Sequence, residues 1–359
     1  MSIAMESATA PYMIQLEEIG KDLRNTDQNI DFQANKNLIE RILKLRDEKN
    51  VLILGHNYMT PLVYNLSPKE QRGDSLALSM HAAKASNPII LFDGVRFMAE
   101  TAKILNPGKK VLIADMDAGC SLADPFTAKD VIDYKKKYPG SPVVTYINSY
   151  AEVKAESDYC CTSANALAVI KHAAKKFNTK KIIFFPDSLM GANLQNDLRK
   201  EGNIELIYPG LHDKKYGRCE VHEQIKASDI RTIRKQYNMI KGSADSAVIV
   251  HPECHPDVVA EADFSGSTSA MGIYIKNHPQ LKKVYLGTEC EMSANLAGEF
   301  PAVEFIKTCQ VHCQHMRRIT LEKILHSLEN LVYEVNVPED IAKKAIIPIE
   351  RMLAIGRDD

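Results

Sequence analysis

The run Tyr216 to Glu223, YGRCEVHE, places a thiol and an imidazole three residues apart in a glycine-containing, loop-like stretch. Cys219 and His222 can each donate an electron pair to a metal ion, so the run offers part of a coordination sphere and needs partners. Taken alone, C-x-x-H more often means a half-buried cysteine beside a hydrogen-bonded histidine. Two further cysteines change the weighing. Cys120, in AGCSLAD, lies 99 residues earlier, and Cys313, in VHCQHM, lies 94 residues later. Such near-even spacing predicts three similar units, each delivering one thiolate to a common point. Three thiolates can hold zinc together with a water, or three irons of a 4Fe-4S cluster whose fourth iron stays open. Zinc sites usually draw ligands in close pairs such as C-x-x-C, whereas these ligands come singly; spacing alone leaves both metals open.

Hydroxyl groups recur in the same order. GDS at 73–75, CTS at 161–163 and GSTS at 266–269 each precede a helical stretch. There Ser75, Ser163, Ser267 and Thr268 either cap a helix or, with free backbone N–H groups, form an anion site. Three equivalent clusters facing one point would suit substrates with several anionic groups. Glu253, between His251 and Cys254 in HPEC, is either a surface carboxylate or a base.

The elements that must position these groups can be read from periodicity. From Asn37, NLIERILKLRDEKNVLILGHNY turns from helical spacing to a continuous apolar run, predicting a helix and then a buried strand. Strands are predicted again at Pro88 to Phe92 and Val111 to Ala114, with helical stretches between them, which implies a parallel sheet with right-handed crossovers. The order then repeats. First strands end in GHNY (55–58), YINSY (146–150) and HPEC (251–254); second strands end in the hydroxyl clusters; third strands end in FDG, FPDS and GTE. Fourth strands, near Leu112, Leu206 and Phe305, lead to the three cysteines. The predicted fold is α/β: three similar αβα units, each with a four-stranded parallel sheet, whose polar carboxyl-terminal strand edges face a central site. The units are placed at 36–123, 124–219 and 220–313. Residues 1–35 are predicted to be a largely irregular surface extension with one amphipathic stretch near Ile14 to Leu23. Residues 314–359, helical from Ile319 to Leu353, are expected to pack back on the first unit.

Composition sets outer limits. A chain of 359 residues, 45% hydrophobic, can build two or three well-packed cores. A net charge of -1 argues against a nucleic-acid or membrane-surface protein, since phosphate backbones demand a basic face. No stretch approaches the roughly 18 apolar residues of a membrane span, and the N-terminus carries Glu6, Glu17 and Glu18 without an apolar signal core. A cytoplasmic location is expected, with all eight cysteines reduced.

At family level, the runs GHNY, GDSLAL, GVRFMAETAKILNP, AGCSLAD, YINSYAEVKA, CCTSANA, FFPDSLMGANL, GRCEVHE, HPEC, DFSGSTSAM, GTECEMSANL and CQHMRRITLEKIL resemble quinolinate synthase from about residue 36 to the end. The resemblance implies a pseudo-threefold assembly of three α/β domains around an oxygen-sensitive 4Fe-4S cluster. It implies an enzyme that condenses iminoaspartate with dihydroxyacetone phosphate to quinolinate, releasing phosphate and water, on the route to NAD. Such a route leaves room for transient contact with the enzyme that supplies iminoaspartate.

By the same resemblance the cluster ligands are Cys120, Cys219 and Cys313. The substrate residues are His56, Tyr58, Ser75, Tyr146, Asn148, Ser163, His222, His251, Glu253, Ser267 and Thr268. The third ligand departs from the family's pattern: Cys309 lies four residues earlier, and Gln314 stands where a proline is usual. Cys313 is preferred because Met316 and Ile319-Thr320-Leu321 keep the family's spacing after it. Cys160, Cys161, Cys254 and Cys290 are read as buried strand-end residues. Glu253 is the expected base, and Tyr58 with His56 or His222 the expected acid. Two rivals stand beside this reading: a zinc-dependent hydrolase or lyase on the same thiolates, and a non-catalytic iron-sulfur carrier. Carriers generally fill every iron with a protein ligand, and no fourth cysteine stands at an equivalent place.

Overall fold

A computed structural model describes residues 11–26, 30–212, 217–307 and 311–357, without the side chains of residues 25 and 201. Tyr216 and Cys309 lie outside the described residues. Among the described residues twelve strands form three four-stranded sheets. The first sheet contains β1 (Val51–His56), β2 (Arg72–Gly73), β3 (Ile89–Asp93) and β4 (Lys110–Leu112). The second contains β5 (Val143–Tyr146), β6 (Tyr159–Cys161), β7 (Lys181–Phe185) and β8 (Glu205–Ile207). The third contains β9 (Ser246–Val250), β10 (Phe264–Ser265), β11 (Lys283–Gly287) and β12 (Glu304–Phe305). Each sheet has its second strand at one edge, then its first, third and fourth, all parallel.

The reason is visible in β1. Every residue from Val51 to His56 is buried, so helices must cover both faces of the sheet, and a parallel sheet with crossover helices provides that cover. Each buried Val, Leu or Ile contributes about 1.5–3 kcal/mol. The apolar run stops at the carboxyl end because the chain there carries His56, Asn57 and Tyr58. The same change of composition follows β5 and β9, and it sets the side on which polar groups gather.

Pro11–Thr26 is a 16-residue helix and not irregular chain, with Leu16, Ile19 and Leu23 buried. It packs on the helices Phe32–Glu48 and Cys290–Glu299. Its lone amphipathic stretch becomes stable through that tertiary contact, since most helical stability in proteins comes from packing of an apolar face. At the other end, Leu321–Asn330 packs on Phe32–Glu48, while Glu339–Ile355 lies on Ala151–Ala155 and β6 as well as on Arg96–Leu105. Among the described residues, no helix is long and apolar enough to cross a membrane.

Candidate active site

The three cysteines sit in three copies of one local structure. The carbonyl of Cys120 accepts from Asp124 N at 2.9 Å, that of Cys219 from Glu223 N at 3.0 Å, and that of Cys313 from Arg317 N at 3.1 Å. Eight residues beyond each cysteine a helix begins, at Ala128, Ala227 and Leu321. Within each turn, backbone N–H groups point at the sulfur: those of Leu122 and Ala123 at Cys120, of His222 at Cys219, and of His315 and Met316 at Cys313. The turns also touch one another. Glu220 N donates to Ser121 Oγ at 3.1 Å, and His315 Nε2 lies 4.0 Å from Glu220. Gly217 anchors the middle turn, because a Cβ there would stand 2.0 Å from the Pro186 carbonyl oxygen. Only glycine permits that approach, which brings Cys219 to the centre.

All three thiols line one cavity. Burial raises the pKa of each, Cys313 to about 11 and the other two further. Cys219 is pushed higher still by the charge of Glu253 and, after it, those of Cys120 and Cys313. Three thiols lining one cavity, each met by backbone N–H donors that favour the thiolate, are a donor set that a polyvalent cation could hold ionised. The residues therefore fit a thiolate-held metal group.

The remaining wall is drawn from every unit. The first contributes His56, Tyr58 and Ser75, the second Tyr146, Asn148 and Ser163, the third His222, His251, Glu253 and Thr268. Ser267 does not line the cavity; its hydroxyl accepts from Ala270 N at 3.1 Å and caps the helix Thr268–Asn277. At the equivalent point of the first unit the cap is Asp74, which accepts from Ala77 N at 2.9 Å. In the second unit Asn165 occupies the cap position. Among the described residues the Ser75 and Ser163 hydroxyls have no hydrogen-bond partner, whereas Thr268 Oγ1 accepts from Asn57 Nδ2 at 2.8 Å.

Glu253 is the hub. Tyr146 OH donates to its Oε1 at 2.6 Å, and Asn148 Nδ2 lies 3.4 Å from the same oxygen. His222 Nδ1 is 2.8 Å from Oε2, near enough for an ion pair although off the direction of an ideal hydrogen bond. Burial opposes ionisation of Glu253, yet His222, then His251, and last the Tyr146 hydrogen bond outweigh it and hold the carboxyl at about 2. The other nitrogen of His222 is 2.9 Å from Thr288 Oγ1 and 3.4 Å from Tyr58 OH, and those two hydroxyls bond to each other. His251 stacks on His222 with ring centres 4.7 Å apart. Burial lowers His56 to about 4 and His251 to about 3, so both are neutral at pH 7, while burial raises Tyr58 and keeps its phenol protonated. Cys219, His222 and Glu253 also bring their ligand atoms within 4.8 Å of one another, a set compatible with a single metal ion.

Sequence reasoning passed over Asp74, Thr288 and Glu289. Burial raises Glu289 to about 8, and its carboxylate accepts from Cys313 N at 3.2 Å. All three stand in GDS and GTE, runs used only as strand-end markers; an acid directly before a predicted helix is a capping signal that would have found the two carboxylates. Cys160, Cys161 and Cys254 are buried and free. Cys290 differs on two counts: it is disulfide-bonded, and it is half-buried at the start of the helix Cys290–Glu299 and not at a strand end.

Comparison with known proteins agrees with this architecture. The family described as Quinolinate synthetase A protein matches residues 40–354. The chain is similar to Quinolinate synthase 1 of Mesorhizobium japonicum, 45% identical over 317 residues that cover 88% of this chain and 91% of the relative. It is similar to Quinolinate synthase of Xylella fastidiosa, 46% identical over 319 residues, 89% of this chain and 87% of the relative. A third relative, Quinolinate synthase of Caulobacter vibrioides, is 40% identical over 349 residues, 97% of this chain and 88% of the relative.

Proposed function

The chain belongs to the quinolinate synthase family, and from that premise we propose that it condenses iminoaspartate with dihydroxyacetone phosphate to quinolinate. Phosphate and water leave, the reaction serves NAD biosynthesis in the cytoplasm, and a 4Fe-4S cluster is held by Cys120, Cys219 and Cys313. The units at 36–123, 124–219 and 220–313 would each supply one ligand. The observation that carries this reading is the threefold repeat of cysteine, turn and helix start at one offset around one cavity. A third ligand at Cys309 would break that offset by four residues.

When bound, the group supplies Lewis acidity at an iron without a protein thiolate, suited to a substrate hydroxyl or ring nitrogen. The side chains do the rest. The Ser75 and Ser163 hydroxyls and Asn148 bind carboxylate and phosphate groups. Thr268 joins them, because accepting from Asn57 leaves its own O–H to donate to an anion. Glu253 is ionised throughout the neutral range and serves as the proton acceptor, with Tyr146 and Asn148 fixing its orientation. A proton on His222 Nδ1, facing Glu253, leaves Nε2 to exchange protons with Thr288 and Tyr58. Tyr58 is then the donor toward the leaving oxygen.

Anaerobically prepared protein supplied with both substrates should form quinolinate and phosphate in equal amounts, and nothing when either substrate is left out. Failure to form quinolinate under those conditions overturns the assignment. One observation favours a second reading, a single zinc ion on Cys219, His222 and Glu253; it predicts colourless protein that is active with zinc and contains no sulfide.

A further inference from the structure

The last described residues reach the wall of this cavity. Gly356, at φ 74°, ends the helix Glu339–Ile355 and turns the chain. Its carbonyl accepts from Asn165 Nδ2 at 2.7 Å, and Arg357 Nη2 lies 2.9 and 2.7 Å from the two oxygens of Asp74. Asn165 and Asp74 hold the cap positions of the two helices preceded or opened by Ser163 and Ser75. One dipeptide therefore ties together the hydroxyl loops of the first and second units.

Its charge matters as much as its position. Asp74 is buried and lines the cavity. Burial opposes its ionisation, but Arg357 and the Ala77 N–H keep its pKa below the ordinary value, so it stays charged. Among the described residues that line the cavity there is no lysine or arginine. An uncompensated carboxylate beside Ser75 would repel an incoming anion across a poorly screened gap. The third unit faces no such conflict, because the neutral Ser267 caps its helix. We propose that Arg357 is a positioning and specificity-determining residue: by neutralising Asp74 from behind the wall, it makes the Ser75–Ser163 half of the cavity accept the anionic group of a substrate. Arg357 acts through Asp74 and is not itself part of the lining. The inference rests on the proposed reaction only for the identity of that anion, a phosphate or a carboxylate.

The test uses the cluster-loaded full chain and three variants. Arg357→Gln should raise the half-saturating concentration of one substrate roughly tenfold while kcat stays within about twofold, as expected for loss of one compensating charge. Arg357→Lys should keep most of the wild-type affinity. The double variant Asp74→Asn, Arg357→Gln should recover to within about threefold, because the carboxylate that needed neutralising is gone. A shift confined to dihydroxyacetone phosphate places phosphate at Ser75 and Ser163; a shift confined to iminoaspartate places a carboxylate there. Titration of thermal stability with inorganic phosphate and with quinolinate gives a readout free of turnover, with apparent affinity weakened in Arg357→Gln and restored in the double variant. Unchanged substrate and anion affinity in Arg357→Gln overturns the proposal, as does a loss that Asp74→Asn fails to relieve, which would reduce Arg357 to a tether. Absence of quinolinate from the wild type would sink the proposed reaction instead, and the anion titrations would still decide the role of Arg357.

Discussion

The first two units and the third share one strand order but are held together differently. A single continuous core joins the first unit, one face of the second and the C-terminal helices, with Leu54, Phe92, Val144, Ile170, Ile324 and Ile349 all buried in it. The third unit keeps two cores of its own, one around Val248 and Ile230, the other around Ile249 and Leu286. Buried amides contribute much of its joint with the pair. Asn295 Nδ2 donates to the carbonyls of Asn57 and Met59, Asn193 Nδ2 to those of Pro252 and Cys254, and Asn57 Nδ2 to Thr268. Apolar burial is non-directional and supplies bulk stability. Hydrogen bonds contribute little net energy but fix position, and a buried one left unmade costs about 1–3 kcal/mol. The cavity lies at this joint: Cys120, Ser75, Tyr146 and Ser163 ride on the fused pair, and Glu253, His251, Thr268 and Cys313 arrive with the third unit.

The largest expected effect tests whether both sides are equally necessary. Cys120→Ser and Cys219→Ser on the pair, and Cys313→Ser on the third unit, should each abolish turnover and iron retention, whereas Cys309→Ser should keep both. Iron lost from Cys309→Ser and kept by Cys313→Ser would move the third ligand by four residues. Next in size is Glu253→Gln, nearly isosteric, which should cut kcat by about 100- to 10,000-fold at near-normal iron content and substrate affinity.

The difference in packing itself is tested by two core truncations. Ile349→Ala should cost about 2–5 kcal/mol and weaken hydrogen-exchange protection of β1 to β8 together. Leu286→Ala, of similar cost, should confine its effect to β9 to β12. Equal loss of protection everywhere after Leu286→Ala would show one cooperative body and erase the distinction. Thr268→Ala, at the joint, should raise a substrate's half-saturating concentration about tenfold, the effect of roughly 1.5 kcal/mol for one charge-assisted hydrogen bond.

The smallest effect concerns Asp93, the first unit's counterpart of Asp187 in the second and Glu289 in the third. Asp187 accepts from Leu189 N and Met190 N at 2.8 Å each, and Glu289 from Glu291 N at 2.6 Å. Asp93 is fully buried, neither of its oxygens has a hydrogen-bond partner among the described residues, and burial raises its pKa well above 3.8. The unfolded chain releases this proton above about 3.8 while the folded chain keeps it, so Asp93 withdraws stability as pH climbs through that value, until the raised folded pKa is reached. Asp93→Asn should therefore gain on the wild type between pH 4.5 and pH 7.5 in urea midpoints. A difference that does not change with pH would contradict this.

Much of the site was legible because polar residues mark the carboxyl ends of buried strands, and their order recurs three times. By that logic His56, Tyr146 and Glu253 stand at or just past strand ends, since an apolar run must stop where the sheet stops, and all three line the cavity; their roles were implied only by the resemblance. The helix-cap logic was less secure. It cannot tell which of several adjacent polar groups turns toward the helix, and the cap falls on Asp74, Asn165 and Ser267 in the three units. Of the helix Pro11–Thr26 only the amphipathic stretch near Ile14 to Leu23 was legible, because its partner helix, Cys290–Glu299, lies far away in sequence. Arg357 was illegible for the same reason, being 283 residues from Asp74. The disulfide at Cys290 runs against an inference from compartment, which carries no information about local geometry.

The central claim is that three units meet to hold one iron-sulfur group. Iron, acid-labile sulfide and zinc, measured per chain in protein purified without oxygen, test it most directly. The account predicts brown protein with about four irons and four sulfides and negligible zinc. One zinc per chain with no sulfide, in protein that still forms quinolinate, would contradict it.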